Sequence, residues 1–541
     1  MSARQVARGV AGAAALIAAL TVLARLAGFG RTLVFTNTVG AGSTGDAYLA
    51  ANNVPNIVFE VVAGGALASL VVPMLAGGIA AGDREQVRRT ASALLGWTLL
   101  LLTPLAVLLA VLAEPIARLL LGGGDEAEVQ LASRFLLVFA PQVVLYGIGI
   151  VLTGVLQAHR RFAGPALAPL LSSLVVAITY LVFAAMGGGG DVAGLSTPAE
   201  LVLGVGTTLG VVALSLSLLL PLRGLRLGLR PALRFPVGAA PRVRRLAVAG
   251  VLTLAGQQLL AAVAIRLANE GAPDGTQVIY AAGLTVFLLP WAALAVPLAT
   301  SAYPGLAERA DSGDEDGYRR ALAPVTVLTV AACAVAAAAL VATAGPMARV
   351  FLGSGTDAAV SALRDTIVAF APGLLGYGLV ALLTRALYAR GLWKAPTACV
   401  LGGWLLAVAA DVVLARALPS DDRALALGLG HTLGVTVAGA GLLLVVARAA
   451  GPPALGGLGR TGPVALLAGS LGGAAGLWVA GALGADPVPG GGLPGTLGAG
   501  VLAGGTVLVV ALAVMMGTAR AQLVGAFREL RSTGGQEVRS G

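Results

Sequence analysis

The sequence predicts an all-α membrane protein that crosses the bilayer about 14 times, and three observations predict it. Apolar runs of about 20 residues, the length a helix needs to cross the hydrocarbon core, recur along the whole chain. Of the 541 residues, 57% are hydrophobic and only 11% are charged, a balance foreign to soluble domains. The lysines and arginines gather in alternate connections, as they do when one face of a membrane holds the basic loops.

The runs centre near residues 20, 65, 102, 146, 175, 211, 256, 290, 332, 378, 406, 436, 472 and 506, numbered in that order as spans 1 to 14. The first, "MSARQVARGVAGAAALIAALTVLA", has the basic start and apolar core of a signal peptide. Its apolar run continues without an obvious cleavage site and many spans follow, so it reads as a retained span 1. Cys333 and Cys399 sit far apart in apolar runs and read as small buried side chains, with neither a disulfide framework nor metal-ligand spacing.

The net charge of +10 raises nucleic acid as a partner, and the placement of the charges excludes it. With the N-terminus inside, Arg4, Arg8 and alternate connections hold 26 of the 35 Lys and Arg, seven of them between Arg223 and Arg245; six fall on the other side. Both termini are therefore expected in the cytoplasm. Three arginines, Arg25, Arg31 and Arg266, belong to neither set, because they lie in or at the edge of apolar runs.

Residues 115–165 can be laid on 346–396 without a gap, with 18 of 51 positions identical, Pro141 with Pro372 and Tyr146 with Tyr377 among them. The offset covers six spans, an even number, so the copies run the same way through the membrane, one of the known transporter plans, with the substrate site between the halves. The expected organisation is a first lobe at 1–222, a basic cytoplasmic linker at 223–245, a second lobe at 246–449, two further spans at 462–517 and a cytoplasmic tail at 518–541. Glycine, at 77 residues, is about twice its usual share, and reads chiefly as close helix packing.

A charge at the bilayer centre costs about 2.5–3.5 kcal/mol or more, so Arg25 and Arg31 are expected to face a cavity or a partner. Six residues apart, they diverge by about 120° on a regular helix; Gly28 and Gly30 between them would let the helix bend and aim both at one point. Two readings stand side by side: an anionic, phosphate-bearing ligand, which the guanidinium fork fits, or snorkelling and a structural ion pair, for example with Glu60. At the same offset, within one residue, the second lobe carries Gln257 and Gln258, which favours an asymmetric cavity. Asp411, inside span 11, reads either as a site for Na+ or H+ coupling or as one half of a helix pair. His159 and His431 lack an acid–base partner in sequence and read as loop or packing residues. No nucleotide loop, metal cluster or nucleophile motif points to catalysis or to a bound cofactor.

The stretch "RLAGFGRTLVFTNTVGAGSTGDAYLAANNVPNIVFEVVAGGALASLVVPML", residues 25–75, resembles the signature region of the MviN/MurJ family of lipid II flippases, within the multidrug/oligosaccharidyl-lipid/polysaccharide exporter superfamily. "HRRFAGPALAPLLSSL" and "TRALYARGLWKAPTACV" resemble the family's loops after spans 4 and 10. The resemblance implies two six-helix lobes, a bacterial plasma membrane location, an undecaprenyl-diphosphate-linked cargo, and contact with membrane lipids and the cell-wall synthesis machinery. It matches Arg25 and Arg31 to the family's diphosphate-binding cavity arginines. Asp46 matches the acidic residue after its Gly-Ala-Gly turn, and Asn56 the asparagine of its Pro-Asn pair. The chain departs from the pattern where many members carry arginines after Pro-Asn, with Phe59 and Glu60 instead, and on span 8, where Thr285 replaces an arginine. Arg266 stands as a compensating cation, and Asp411 falls near the sodium-site region of some members. The leading expectation is a lipid II flippase working by alternating access, with the membrane potential returning the unloaded cationic cavity inward. The alternatives are a cation-coupled multidrug or oligosaccharide exporter, dependent on Asp411, and a non-transporting cell-wall scaffold using the seven-arginine loop.

Overall fold

The computed structural model describes residues 3–61, 68–123, 125–234, 240–353, 355–484 and 492–518. They form α1 (Ala3–Thr38), α2 (Ser43–Phe59), α3 (Ala68–Ala80), α4 (Arg84–Val111), α5 (Ala113–Leu120), α6 (Glu126–Ala158), α7 (Ala163–Ala185), α8 (Thr197–Leu216), α9 (Leu219–Arg223) and α10 (Ala240–Asn269). The chain continues with α11 (Thr276–Pro290), α12 (Val296–Asp311), α13 (Glu315–Phe351), α14 (Asp357–Phe370), α15 (Gly373–Ala389), α16 (Lys394–Ala417), α17 (Arg423–Ala449), α18 (Leu458–Ala482) and α19 (Leu493–Thr518). No strand occurs among the described residues.

Among the described residues eleven segments are long and apolar enough to cross a membrane, or twelve if α14 and α15, bent by 45° at their junction, count as one. Thirteen of the expected span centres fall within a helix, that of span 7 within α10. The centre near residue 65, and the tail with Arg520, Arg528, Arg531 and Arg539, lie outside the described residues.

Helix starts follow the local sequence. Asp83 accepts from the Gln86 N–H at 2.8 Å, Asp314 from Gly317 at 2.8 Å and Thr356 from Ala359 at 3.2 Å, each satisfying an amide that the first helical turn leaves without an acceptor.

The described chain divides into two compact units, Met1–Val278 and Ile279–Gly541. In the first, Tyr48 is fully buried and its hydroxyl meets those of Tyr180 and Thr207, each at 2.9 Å. Phe35, Phe135 and Phe139 close around this ring. A buried phenol with both hydrogen-bonding roles taken is tolerated in an apolar core, where an unsatisfied one costs several kcal/mol. Residues 227–234 of the basic linker run without helix against α4: Ala232 donates its N–H to Ser92 O at 3.0 Å, and the Trp97 indole donates to Leu233 O at 3.0 Å. Leu227 is buried beneath it, while Arg226, Arg230 and Arg234 are exposed, the period-two alternation of a strap with one apolar side.

In the second unit, α16 and α17 approach backbone to backbone. A methyl on Gly403 would come within 2.7 Å of Gly434 O, and one on Gly434 within 2.5 Å of Gly403 O, so these glycines serve close packing. The bend between α14 and α15 follows from Pro372, which has no N–H to give to the preceding turn. The Thr432 hydroxyl of α17 donates to Ala369 O at 2.7 Å.

The two copies share contacts as well as sequence. Arg118 pairs with Glu126 at 3.0 Å in one, and Arg349 with Asp357 at 2.8 Å in the other. Rings of Phe59 and Tyr146 lie 4.6 Å apart, as do those of Trp291 and Tyr377. The chain takes π-helical geometry at 60–61, after α2, and a π-turn recurs at Trp291–Ala295 between α11 and α12. The Thr208 hydroxyl reaches Val138 O at 3.0 Å, as Thr432 reaches Ala369 O. The copies differ at the proline: α6 runs straight through Pro141, whereas the chain bends at Pro372.

Candidate functional site

α1 passes through Gly28 and Gly30 as one unbroken helix, and the Thr32 hydroxyl closes back onto Gly28 O at 3.2 Å. The expected bend between the two arginines is therefore absent, because the backbone hydrogen bonds of α1 are intact there. The two glycines instead leave space, since a methyl on either would touch nothing within 4 Å. Arg25 is exposed and Arg31 half-buried. Among the described residues neither forms an ion pair with Glu60 or any other carboxylate.

α2 carries further polar groups of the first unit. Asn56 donates from Nδ2 to Asn52 O at 2.9 Å and accepts the Tyr146 hydroxyl on Oδ1 at 2.8 Å. Asn52 and Asn53 are half-buried beside it, and Glu60 is exposed at the end of the helix. The amides present donors and acceptors without fixed charge, and the arginines present donors only, a combination that suits an anion carrying hydroxyl-rich groups.

Asp46 is 4% exposed. Its Oδ2 accepts from Gly275 N at 2.6 Å and its Oδ1 from Val278 N at 3.0 Å, so one carboxylate of α2 caps the start of α11. Gly275, with φ of 86°, lets the chain turn there against Ala41. Arg266 pairs with Glu270 at 3.0 Å, and its Nη1 is buried under the turn at Gly122.

Asp411 is fully buried in the second unit, and neither carboxylate oxygen has a hydrogen-bond partner. Gly430 makes room for it, since a side chain there would collide with Oδ1. His431, next in sequence, is enclosed by Phe287, Phe370, Tyr377 and Trp404. Among the described residues no three His, Cys, Asp or Glu side chains converge as metal ligands. The Thr285 hydroxyl folds onto Ala281 O at 2.9 Å. A cavity of about 960 Å³ opens between α11, α13 and α19, with Leu289, Leu294, Val335, Met347, Leu508 and Met516 in its apolar wall.

Sequence reasoning left out Tyr146, Asn52 and Asn53 as site residues. The recurrence of Tyr146 as Tyr377 was the available signal, although it gave no partner.

Membrane-length helices in two related units, with an exposed Arg25 and a half-buried Arg31 on one span and without ion pairs, define a polytopic membrane transporter. A family model described as lipid II flippase MurJ matches residues 35–460, and the chain belongs to that family. The lipid II flippase MurJ of Burkholderia cenocepacia is 25% identical over 434 residues, 77% of this chain and 80% of that one. A probable lipid II flippase MurJ of Buchnera aphidicola is 26% identical over 166 residues, where the match spans 30% of this chain and only 32% of that relative. A solved structure of lipid II flippase MurJ in an inward closed conformation superposes with a TM-score of 0.72 at 18% identity, covering 94% of this chain and 99% of that one.

Proposed function

We propose that this chain moves lipid II, the undecaprenyl-diphosphate-linked precursor of peptidoglycan, from the inner to the outer leaflet by alternating access of its two lobes. The observation that carries the reading is the exposure of Arg25, with Arg31 behind it, on a membrane helix and without ion pairs. Two guanidinium groups without carboxylate partners match the two phosphates of a diphosphate. The apolar cavity of the second unit supports a place for the prenyl chain, which loses nothing by exchanging lipid for a wall of leucine and methionine.

Asp46 acts at the outer gate, holding the first turn of α11 until the cavity opens outward. Asp411 is the site of Na+ or H+ coupling, and its lack of a partner supports this, because an ionised carboxylate so placed needs a cation or a proton. Arg266 is a reserve cation on the outer side, available once Glu270 releases it. The interior-negative potential contributes about 2.3 kcal/mol per charge per 100 mV to returning the emptied cationic cavity inward. Both termini face the cytoplasm, where the arginines of the strap meet anionic inner-leaflet lipid and the cell-wall synthesis machinery.

The test replaces Arg25 and Arg31, singly and together, with alanine in cells depleted of their own flippase. Loss of growth, with lipid II retained in the inner leaflet, is expected. Normal growth and normal outer-leaflet lipid II in both single mutants would sink the assignment.

A further inference from the structure

The turns that start α4 and α13 are built alike. Gly82 and Gly313 are left-handed, with φ of 69° and 72°, and Asp83 and Asp314 cap the helices that follow. At the constant offset of 231 the ends of α6 and α15 match too, His159 with Arg390 and Arg160 with Gly391. In the second copy this junction is closed by charge. Arg390 pairs with Glu315 at 2.7 Å and lies 4.9 Å over the Tyr318 ring, and the Tyr318 hydroxyl donates to Ala386 O at 2.8 Å. The first copy holds Arg84, His159 and Val87 at the positions of Glu315, Arg390 and Tyr318. A guanidinium thus stands where the carboxylate was, and an isopropyl group where the ring was. Val155 O, the counterpart of Ala386 O, accepts from His159 Nδ1 at 2.8 Å.

A cavity of about 190 Å³ lies at this junction of the first copy, with Arg84, His159, Val87, Leu225 and Leu227 in its wall. Arg84 donates to Leu225 O at 3.3 Å and Arg161 to Pro221 O at 3.0 Å, so the chain after α9 closes the third side. Among the described residues none of Arg84, His159, Arg160, Arg161 and Arg226 has a carboxylate partner. Asp83, also in the wall, is engaged with Gln86 N at 2.8 Å, just as Asp314 is with Gly317 N. With Nδ1 spent on a carbonyl, His159 has Nε2 left for another group. The backbone marks the same place. Arg160 and Arg226, with φ of 56° and 49°, are the two non-glycine residues with left-handed φ among the described ones. One follows His159 and the other lies between Leu225 and Leu227. Left-handed backbone is costly for a side chain with a Cβ, and such strain collects at binding sites. Gly391, the counterpart of Arg160, adopts its φ of 72° freely.

We propose that this cavity binds a phosphate group, which takes the place that Glu315 fills in the second copy, with Arg84 and His159 as its donors. Arg160 and Arg226 supply further positive charge around it. A phosphate has oxygens for both donors at once, and the guanidinium fork matches its geometry. Arg84 begins one membrane-length helix and His159 follows the end of another, which is the level of a phospholipid headgroup, and basic pockets between span ends hold such headgroups. A soluble phosphate is the other source of the same group. The inference goes beyond the lipid II reading and does not depend on it.

Full-length protein, stripped of lipid in detergent, is titrated with dioleoylphosphatidylglycerol, dioleoylphosphatidylcholine or inorganic phosphate, and bound ligand is read by native mass spectrometry and by the thermal midpoint. The wild type is expected to hold one phosphatidylglycerol more tightly than phosphatidylcholine. Arg84→Ala and His159→Ala are each expected to weaken it about tenfold. Arg84→Glu combined with His159→Arg transplants the ion pair of the second copy. That variant is expected to keep the midpoint of the unliganded protein and to lose the tight lipid, which separates binding from folding. Arg89→Ala removes an equal charge from the same helix outside the cavity wall and is expected to leave the tight lipid in place, which a diffuse attraction to basic surface would not do. A midpoint raised by inorganic phosphate in the wild type but not in Arg84→Ala, without preference between the two lipids, assigns the site to a soluble phosphate. Binding of neither phosphate nor phosphatidylglycerol, or tight binding that survives the charge swap, overturns the site.

Discussion

The Tyr146 hydroxyl donates to Asn56 Oδ1 at 2.8 Å, and this one hydrogen bond helps to fix the orientation of the Asn56 amide. Its other edge is already committed to Asn52 O. Tyr146→Phe keeps the ring stacked on Phe59 and removes only the donor. A half-buried hydrogen bond of this kind contributes about 0.5–1.5 kcal/mol, so transport at low lipid II concentration is expected to fall about twofold to tenfold, with little change in thermal midpoint. Flipping assays in vesicles, run beside Asn56→Ala, check it: the double mutant is expected to be no worse than the poorer single mutant.

Asp46 satisfies two backbone amides from a distant segment. Asp46→Ala strands both, and Asp46→Asn retains one acceptor oxygen. Loss of a cap costs about 0.5–2 kcal/mol, so the thermal midpoint in detergent is expected to fall by several degrees for alanine and by less for asparagine. An alanine variant as stable as wild type would contradict the capping role.

At the α14–α15 bend, Thr432→Val removes the hydroxyl that reaches Ala369 O. The carbonyl then lies in an apolar surround with one bond fewer, at a cost of about 1–2 kcal/mol. Thr432→Ser is expected to restore stability, which a purely volumetric effect would not do. Thr208→Val, the matching change in α8, is expected to cost at least as much, because the buried Gln142 amide donates to that hydroxyl at 2.9 Å and would lose its partner.

Gly403→Val places a branched side chain against Gly434 O and Ala438. Overpacking of this severity costs about 1–3 kcal/mol and often more where backbones touch, so poor yield and a lowered midpoint are expected. Gly28→Ala, facing open space, is expected to fold normally, and paired measurements of yield and midpoint distinguish a packing glycine from a cavity glycine.

Asp411→Asn removes a carboxylate whose oxygens have no hydrogen-bond partner. Burying an amide is cheaper than burying an ion, so the fold is expected to be as stable as wild type or more so. If Asp411 couples transport to an ion, the variant loses its response to an imposed Na+ or pH gradient. A full gradient response in Asp411→Asn vesicles removes Asp411 from the mechanism.

The apolar runs made the helices legible in the sequence, because a bilayer leaves the backbone few alternatives to helix. The gapless offset that aligned Arg118 with Arg349 also predicted a repeated architecture, while the ion pairs these arginines form with Glu126 and Asp357 came only with the structure. Arg25 and Arg31 stood out because charge is rare in such runs. What the sequence hid were the partners: Asp46 is 229 and 232 positions from the amides it caps, and Tyr146 is 90 from Asn56. No local spacing encodes those contacts, since they depend on how the helices are brought together. The expected bend at Gly28 and Gly30 failed for a similar reason. Glycine permits a break, but the intact hydrogen bonds of α1 give no cause for one.

The strap on α4 has a consequence for the order of synthesis. Trp97 of the third span donates to Leu233, 136 residues further along, and Ser92 waits for Arg230 and Ala232 in the same way. A ribosome feeding this chain into the membrane releases six spans before the segment that covers the third has been made. The first half of the protein is therefore left with an open seam until translation passes residue 233, and its maturation is timed to the moment the second half begins to emerge.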